Sequence, residues 1–374
     1  MNRSIAIIDQ NAFMHNWQII KNINPNSKII LVVKANAYGH GFAQIVSLVK
    51  KVTIHALAIA CIEEAIDLRK CGYEGEIYLF DGGVWVPQAD LLIKHNVVPI
   101  IGNLRDFICL ANCKSPFKIH LKIDTGFIRN GFSNEEISSL IEQIKKNPQI
   151  TIEALCTHFH SADDLESSAT QDQINYFLHI LAMLKQEGIN PDYIHAANSA
   201  AFLRKDIFTN ITFLSRVGLL AYGYSPIASL KNQYDLKPIM SIKAKVISHK
   251  KISKNQGVGY NHRFIAKNPT DIAVVSIGYA DGIKRALSNK GFALFNGVRV
   301  PIVGNICMDF LMLDITNAMP KEKIEIVGQY VTLLGSEGQE IIDADHMAVW
   351  ADTISHEILT SFSQRINRSL NSVN

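Results

Sequence analysis

Short runs of apolar and β-branched residues recur through the first 220 residues, and segments with helical periodicity separate them. Continuous apolar runs of this kind are typical of strands buried in a parallel sheet. There are eight such runs, at residues 28–34, 56–60, 76–80, 97–101, 117–123, 152–158, 193–197 and 213–217. Eight alternations of strand and helix favour a closed TIM (β/α)8 barrel of the α/β class. An open doubly wound sheet is the alternative, which the number of strands does not exclude.

The pattern changes after about residue 236, where predicted strands follow one another without long helices between them. These runs lie at residues 240–249, 271–280, 292–304, 310–315 and 330–335, and one helical stretch, 346–362, closes the chain. We therefore predict a barrel domain over residues 1–236 and a mostly β C-terminal domain over 237–374. The short apolar run within residues 1–8 could pair with the second domain.

Composition narrows the classes of partner and compartment. The chain has 374 residues, 48% of them hydrophobic, and a formal net charge of +3 without a run of like charges. Such a balance predicts neither a nucleic-acid nor a membrane partner. The N-terminal apolar run is too short for a signal peptide, no apolar stretch would span a bilayer, and the six cysteines form no C-x-x-C pair. We expect a cytoplasmic protein with unpaired thiols.

Polar residues stand at the ends of five predicted strands, which is where TIM barrels place their chemistry. They are Lys34, Lys122, Asp124, His158, Asn198, Ser199 and Arg216. Because the carboxyl ends of parallel strands meet on one rim of a barrel, we expect these side chains to lie close together.

Lys34 has two interpretations. Its stem could be buried while its amino group reaches solvent, or a desolvated amino group could form a Schiff base with a carbonyl compound. Gly39 and Gly41 permit a tight loop around this lysine, and Gly218 stands after the last strand, where barrels commonly bind phosphate. A lysine, a phosphate-binding loop and Arg216 on one rim favour pyridoxal phosphate (PLP) as the cofactor.

Four residues carry weaker signals. His158 and His160 could ligate a metal, but two histidines without carboxylates nearby are a poor indication, and we expect no metal. His195 lies inside a strand and is interpreted as a core histidine. From the residues alone, Tyr279 could be a packing tyrosine beside a turn.

Seven motifs, in order along the whole chain, resemble those of the alanine racemases. They are VVKANAYGHG (32–41), LKIDTGFIRNGF (121–132), THF-x-SAD (157–163), HAANSAA (195–201), SRVG (215–218), SIGYADG (276–282) and ICMD (306–309). This resemblance implies a PLP-dependent enzyme with a barrel and a β domain, interconverting L-alanine and D-alanine.

The resemblance implies two catalytic acid/base groups. Lys34 would bind the cofactor covalently and serve as one base, and Tyr279 would be the other, supplied by the second subunit of a homodimer. Met308 and Asp309 would also come from the second subunit and lie near the substrate. Racemisation removes a proton from one face of Cα and returns one to the opposite face, so that two groups are needed.

The same resemblance assigns the surroundings of the cofactor. Arg216 would face the pyridine nitrogen and keep it unprotonated, because arginine does not release its proton. His158 would link Arg216 to Tyr279, and Arg129 would approach the cofactor oxygen and the substrate carboxylate. Lys122 corresponds to a lysine that is often carbamylated in the family. The remaining cofactor-binding positions are Tyr38, Asn198, Ser199, Gly218, Leu219 and His356.

Three departures from the family pattern concern the substrate pocket. His356 stands where a phosphate-binding tyrosine is usual, Asn305 where an arginine of the entryway is common, and Phe127 and Asn130 replace the usual neighbours of Arg129. None of these is one of the two bases. They leave open a racemase of broader scope that also acts on serine.

Two other functions compete with racemisation. A related PLP decarboxylase would set a carboxylate against the pyridine nitrogen, which Arg216 argues against. A PLP carrier protein would lack the β domain and the second base. For a racemase, the role could be supply of D-alanine for peptidoglycan or degradation of D-alanine.

Overall fold

The computed structural model describes residues 3–80, 89–113, 115–204, 214–319 and 325–371. The chain divides into two compact units. The barrel unit consists of residues 14–37 and 45–237, and the β unit consists of residues 1–13, 38–44 and 238–374. Residues 38–44 therefore belong to the β unit although the chain on both sides of them belongs to the barrel.

The strands are β1 (Ser4–Asp9), β2 (Ile29–Val32), β3 (Ala56–Ile59), β4 (Ile77–Leu79), β5 (Val97–Ile101), β6 (Phe117–Lys122), β7 (Ile150–Cys156), β8 (Tyr193–His195), β9 (Ser215–Val217), β10 (Met240–Ile252), β11 (Gly257–Val258), β12 (Phe264–Ile265), β13 (Thr270–Val275), β14 (Phe292–Phe295), β15 (Val298–Pro301), β16 (Leu311–Asp314), β17 (Tyr330–Glu337), β18 (Glu340–Ile342) and β19 (Asn367–Asn371). The helical segments are α1 (Gln10–Ile23), the left-handed segment α2 (Lys34–Tyr38), α3 (Phe42–Val49), α4 (Ile62–Lys70), α5 (Ala89–Lys94), α6 (Leu104–Asn112), α7 (Ile137–Lys146), α8 (Ala169–Gln186), α9 (Ser199–Leu203), α10 (Ala344–Ala351) and α11 (Ser355–Ser361).

Strands β2 to β9 form one parallel sheet that closes on itself. Each strand pairs with the next from β2 to β8, and β9 pairs with β2. A parallel bridge between His195 and Leu214 joins β8 to the segment entering β9, and the Arg216 amide donates to the Ala197 carbonyl at 2.8 Å. The closed (β/α)8 barrel is therefore confirmed, and the open doubly wound sheet is wrong. Residue 213, the start of the eighth predicted run, lies outside the described residues.

Burial explains why the strands could be read from the sequence. Every residue of β2, β3, β4 and β5 is buried, as expected where one face of a strand fills the barrel and the other packs on helices. The helices are amphipathic instead. In α7, Ile137, Leu140 and Ile144 are buried at helical spacing, and Ser133 and Glu136 form a capping box just before it.

The β unit is built around the long strand β10. The main sheet has the order β15-β14-β17-β10-β1-β19, while β13 pairs with both β10 and β16 and β18 pairs with β17. Strand β1, from the start of the chain, runs antiparallel to β10 and parallel to β19. The predicted mostly β character of this part of the chain is confirmed.

The single helix predicted over residues 346–362 is wrong, because the structure has two helices, α10 and α11. Asp352 follows α10 with a left-handed φ of 56°, and the Thr353 amide donates back to the Ala348 carbonyl at 3.0 Å. Aspartate accepts this conformation more readily than most residues, so the chain can leave α10 here. The apolar periodicity continues across the break and does not reveal it.

Within the described stretches, no helix combines the length and apolar character needed to cross a membrane.

Candidate active site

Lys34 stands two residues beyond β2 and begins a turn with unusual backbone geometry. Residues 35–38 all have left-handed φ values, of 54°, 53°, 56° and 51°. Residues other than glycine rarely adopt this conformation, which costs roughly 1–2 kcal/mol per residue. The side chain of Glu64, in the first turn of α4, accepts hydrogen bonds from the Ala35 amide at 2.5 Å and the Ala60 amide at 2.8 Å. Glu64 therefore ties the turn to the end of the neighbouring strand β3.

The amino group of Lys34 is shifted toward its neutral form. The side chain is exposed at the rim, yet the protein around it desolvates the amino group and lowers its pKa below 10.5. The charge of Arg129 lowers this pKa further, and the charge of Glu64 opposes the shift. A neutral lysine amine is a nucleophile toward carbonyl carbon.

Arg216 is a buried guanidinium held from several sides. Its Nη1 donates to the carbonyl oxygen of His195 at 2.8 Å and to Nδ1 of the same residue at 2.9 Å. Its Nη2 donates to the carbonyls of Thr157 and Ala196, at 2.8 and 2.9 Å, and to Nδ1 of His158 at 3.1 Å. Burial lowers the pKa of Arg216 to about 10, so it is charged at neutral pH.

His158 is neutral in this environment. Burial and then the charges of Arg216, Arg129, Lys122 and Lys34 lower its pKa to about 2. Because arginine only donates, Nδ1 of His158 must accept from Arg216, and its ring proton lies on Nε2. His158 is thus a neutral imidazole with one N–H group left to donate.

The rim carries an excess of positive charge. Burial lowers the pKa of Lys122, at the end of β6, and repulsion from Arg129 and Arg216 lowers it further, while Cys156 and Asp124 oppose the shift. Lys34, Lys122, Arg129 and Arg216 are therefore close enough to repel one another, with few anions among them. Such a site fits a ligand that carries a phosphate or carboxylate group.

Arg129 lies over an aromatic ring, with its guanidinium carbon 4.1 Å from the ring centre of Phe127. The Phe127 ring in turn meets the His158 ring edge-on at 5.5 Å. Phe127, one of the departures from the family pattern, thus supports both polar residues.

The loops after β8 and β9 are joined to each other. Ser199 Oγ accepts a hydrogen bond from the Gly218 amide at 3.0 Å, and Leu219 next to it is buried. The Asn198 side chain caps α9 by accepting from the Ala201 amide at 2.9 Å. These contacts hold both loops in place. The Asn198 side chain therefore caps a helix, whether or not it also contacts a ligand.

In the β unit, Tyr279 begins a short 3-10 turn, Tyr279–Asp281, after β13. Its amide donates to the Cys307 carbonyl at 3.0 Å, and the next amide, of Ala280, donates to the Met308 carbonyl at 3.0 Å. A side chain at Gly278 would overlap both of those carbonyl groups, so glycine permits this close approach. Tyr279 and Met308 are 43% and 54% exposed, although both are large.

Asp281, which ends this turn, and Asp309 are both paired with arginines. The buried Asp281 pairs with Arg3 at 2.5 Å and with Arg365 at 3.4 Å. Asp309 pairs with Arg365 at 2.6 Å. The carboxylate of Asp309, predicted to lie near substrate, is thus engaged within its own chain.

Tyr38 and His356 are neighbours in the β unit, with ring centres 5.8 Å apart. Tyr38 is buried, which raises its pKa to about 12, and His356 is exposed on α11. Next to Tyr38, Gly39 has a φ of 79° and packs so closely on the Leu359 carbonyl that a side chain would overlap it.

Asn305 is buried instead of open to an entryway. It accepts from Arg263 at 3.3 Å and donates to the Tyr260 carbonyl at 3.0 Å.

Sequence reasoning missed Glu64. An acidic residue in the first turn of a helix ordinarily stabilises that helix, so its position carried no distinct signal. Only the contact across two barrel strands shows that it also supports the turn after Lys34. Among the described residues, no cluster of His, Cys, Asp and Glu is arranged to hold a metal ion.

Comparison with known proteins agrees with the motif pattern. The family model described as "Alanine racemase, N-terminal domain" matches residues 8–226, and that described as "Alanine racemase, C-terminal domain" matches residues 239–370. An alanine racemase of Nostoc sp. is 35% identical over 373 residues, covering 98% of this chain and 95% of its own.

Solved structures agree over the whole chain. Alanine racemase from Bacillus anthracis, described with bound L-Ala-P, has a TM-score of 0.91 and 33% identity, covering 100% of this chain and 96% of its own. Alanine racemase from Bartonella henselae, described with covalently bound pyridoxal phosphate, has a TM-score of 0.87 and 28% identity, covering 99% of this chain and 100% of its own.

Proposed function

The chain belongs to the alanine racemase family, and from this we propose that it interconverts L-alanine and D-alanine as a PLP-dependent isomerase. The observation that carries the proposal is the cationic rim around Lys34, whose pKa is lowered at the mouth of the barrel. PLP brings an aldehyde, a phosphate and a phenolic oxygen, which match an amine nucleophile surrounded by cations. When bound, this cofactor supplies the electron sink that makes the substrate Cα proton acidic.

We propose that Lys34 attaches the cofactor and exchanges a proton at one face of the substrate. Its lowered pKa favours the neutral amine that both tasks need. Arg216 stays protonated and donates its Nη hydrogens to fixed protein acceptors, so it offers a cation to the pyridine nitrogen but no titrating proton. Arg129 orients the substrate carboxylate, and Lys122, whose family position makes it a candidate for carbamylation, positions Arg129.

We propose that the remaining assigned residues serve as the family pattern implies. Tyr38, Ser199, the Gly218 and Leu219 backbone and His356 hold the phosphate, with Asn198 supporting this group through its cap of α9. His158 uses its free Nε2–H to connect Arg216 with the second base. These assignments rest on motif position together with the contacts described above.

The second base is proposed to be Tyr279, acting within a homodimer. Tyr279 and Met308 expose large side chains side by side, and such exposed groups are often covered by a partner. In the dimer, Tyr279, Met308 and Asp309 of the partner subunit complete the site around Lys34. The two proton-transferring groups then flank the substrate on opposite sides, as inversion requires.

A mixing experiment tests the shared site. Lys34→Ala and Tyr279→Phe chains, each inactive alone, are refolded together in equal amounts and assayed. Random pairing places one intact site in half of the dimers, so roughly a quarter of the wild-type activity should return. No recovery, with mixed dimers demonstrated by mass, would mean that each site is built from one chain.

The reaction itself is tested by chiral separation of products. Purified protein with PLP should form D-alanine from L-alanine, and L-serine run in parallel should be converted at least about tenfold more slowly, since one extra polar atom in a small pocket costs roughly 1–3 kcal/mol. Equal rates would establish the broad-specificity alternative, which the exposed His356 favours. A sample that binds PLP but converts neither amino acid would reject racemisation of both.

We also propose a cytoplasmic location, no nucleic-acid or membrane partner, and a role either in providing D-alanine for peptidoglycan or in degrading D-alanine. The near-balanced charge of +3 supports the absence of nucleic-acid and membrane partners. Growth of a deletion strain separates supply from degradation, because only loss of supply makes growth depend on added D-alanine.

A further inference from the structure

A chain of hydrogen bonds between buried side chains connects Arg216 to the carboxylate of Glu153 through two histidines. Arg216 Nη1 lies 2.9 Å from His195 Nδ1, and His195 Nε2 lies 3.0 Å from His120 Nδ1. His120 Nε2 then lies 3.1 Å from Glu153 Oε2. His120, Glu153, His195 and Arg216 lie on β6, β7, β8 and β9, so the line crosses four neighbouring barrel strands. We call these four residues the barrel relay.

The chemistry of its two ends gives the barrel relay a single direction. Arginine can only donate, so His195 Nδ1 accepts and the His195 proton lies on Nε2. His120 Nδ1 must then accept from His195, which places the His120 proton on Nε2, pointing to Glu153. A carboxylate can only accept, so the last bond has the orientation that the first one requires.

Burial keeps both imidazoles neutral between the two charged ends. Desolvation lowers the pKa of His120 and places that of His195 well below 6.5. The hydrogen bond from His120 lowers the pKa of Glu153, so its carboxylate stays ionised, and Lys118 approaches its other oxygen at 3.3 Å. The ring of Tyr78 packs edge-on against His120 at 4.3 Å and limits rotation of that imidazole.

We propose that Glu153 is a positioning residue for Arg216, acting through His120 and His195 held as Nε2–H tautomers. The carboxylate fixes the direction of the barrel relay, and the relay keeps an acceptor lone pair of His195 turned toward the guanidinium. Without that acceptor, a buried Arg216 N–H would lose a partner, and the plane of the guanidinium could turn. The proposal rests on the proposed function, since it concerns how Arg216 is presented to the cofactor.

The tautomers are tested directly by nitrogen NMR of the PLP-loaded enzyme with ¹⁵N-labelled histidine rings. Ring nitrogen shifts distinguish protonated from unprotonated positions. The chain has 13 histidines, so His120→Asn and His195→Asn variants assign the two signals. Both rings should be neutral with the proton on Nε2. A proton on Nδ1 of either ring, or a charged imidazolium, would overturn the proposal.

The effect on Arg216 is tested with two substitutions of Glu153. Glu153→Gln keeps an accepting oxygen without the charge, and Glu153→Leu removes both. We expect kcat to fall about tenfold or more in Glu153→Leu, as outer hydrogen-bond partners of a site often show, with KM changed less than about twofold. Glu153→Gln should lose less activity and keep the Nε2–H tautomers, whereas Glu153→Leu should give mixed tautomers and a shifted absorbance of the bound cofactor.

A matched control separates positioning from stability. Ser27→Ala also removes a buried hydrogen bond between barrel strand ends, since the Ser27 and Ser215 hydroxyls lie 3.0 Å apart. It should lower the melting temperature without moving kcat, the tautomers or the absorbance. A folded Glu153→Leu enzyme with wild-type kcat and tautomers would refute the proposal. Failure of the wild-type protein to racemise alanine would refute the proposed function instead, and leave the tautomer result standing.

Discussion

Lys34→Ala is expected to eliminate racemisation while leaving the protein folded. Under the proposed function, the substitution removes both the amine that attaches the cofactor and one of the two proton-transferring groups. Loss of an acid/base group alone typically costs about 10²–10⁴-fold in rate, and the loss is expected to be larger here because the proposed attachment of the cofactor is removed as well. The measurement is D-alanine formation by chiral chromatography, together with the visible absorbance of the cofactor after gel filtration, which should be lost.

The matched control is Lys28→Ala. Lys28 precedes β2, at the opposite end of the same strand, where its amino group lies 4.7 Å from the ring centre of Tyr193. Its loss should leave the absorbance and the rate within about twofold of wild type, because a surface substitution away from special features rarely changes more than about 0.5 kcal/mol. Retention of stoichiometric, covalently attached cofactor in Lys34→Ala would show that another lysine is the attachment point.

Tyr279→Phe is expected to separate cofactor binding from inversion. Lys34 is untouched, so the absorbance of the bound cofactor should persist, while racemisation in both directions falls by about 10²–10⁴-fold, the range typical of a lost acid/base group. The enzyme should still exchange the Cα hydrogen of one alanine enantiomer with D₂O, because one base continues to serve one face. The measurement combines chiral chromatography with proton NMR of each enantiomer in D₂O.

Tyr330→Phe serves as the comparison for this variant. Tyr330 belongs to the same unit and is 40% exposed, close to the 43% of Tyr279. It should racemise alanine at the wild-type rate. Exchange of both enantiomers by Tyr279→Phe, at rates near those of the unchanged enzyme, would place the second base elsewhere.

The barrel strands could be predicted from the sequence because strands buried on both faces are apolar at nearly every position. Strands such as β2 and β3 are buried at every position, which produces the short continuous apolar runs typical of a parallel sheet. The polar residues at strand ends were predictable for a similar reason, since topology brings the ends of parallel strands to one rim. The break at Asp352 was not, because the apolar spacing of α10 and α11 continues through it.

Side-chain contacts between residues on different strands could not be predicted from the sequence. Glu64 supports Ala35 through a bond between two βα loops, and the barrel relay depends on the register of four strands. His195 was correctly interpreted as a core histidine with its polar atoms satisfied, but its partners, Arg216 and His120, become known only once the strands are aligned.

The left-handed turn after Lys34 bears on the order in which this molecule folds. Alanine, asparagine and tyrosine have no local preference for four consecutive residues of that hand, so residues 35–38 cannot nucleate structure. Two of the bonds that hold the turn run to Glu64 and to the Val33 carbonyl, which accepts from the Ala37 amide at 2.7 Å. Those partners are in place only after β2, β3 and α4 have assembled. We therefore expect the turn that presents Lys34 to form late in folding, after the strands and the helix that support it.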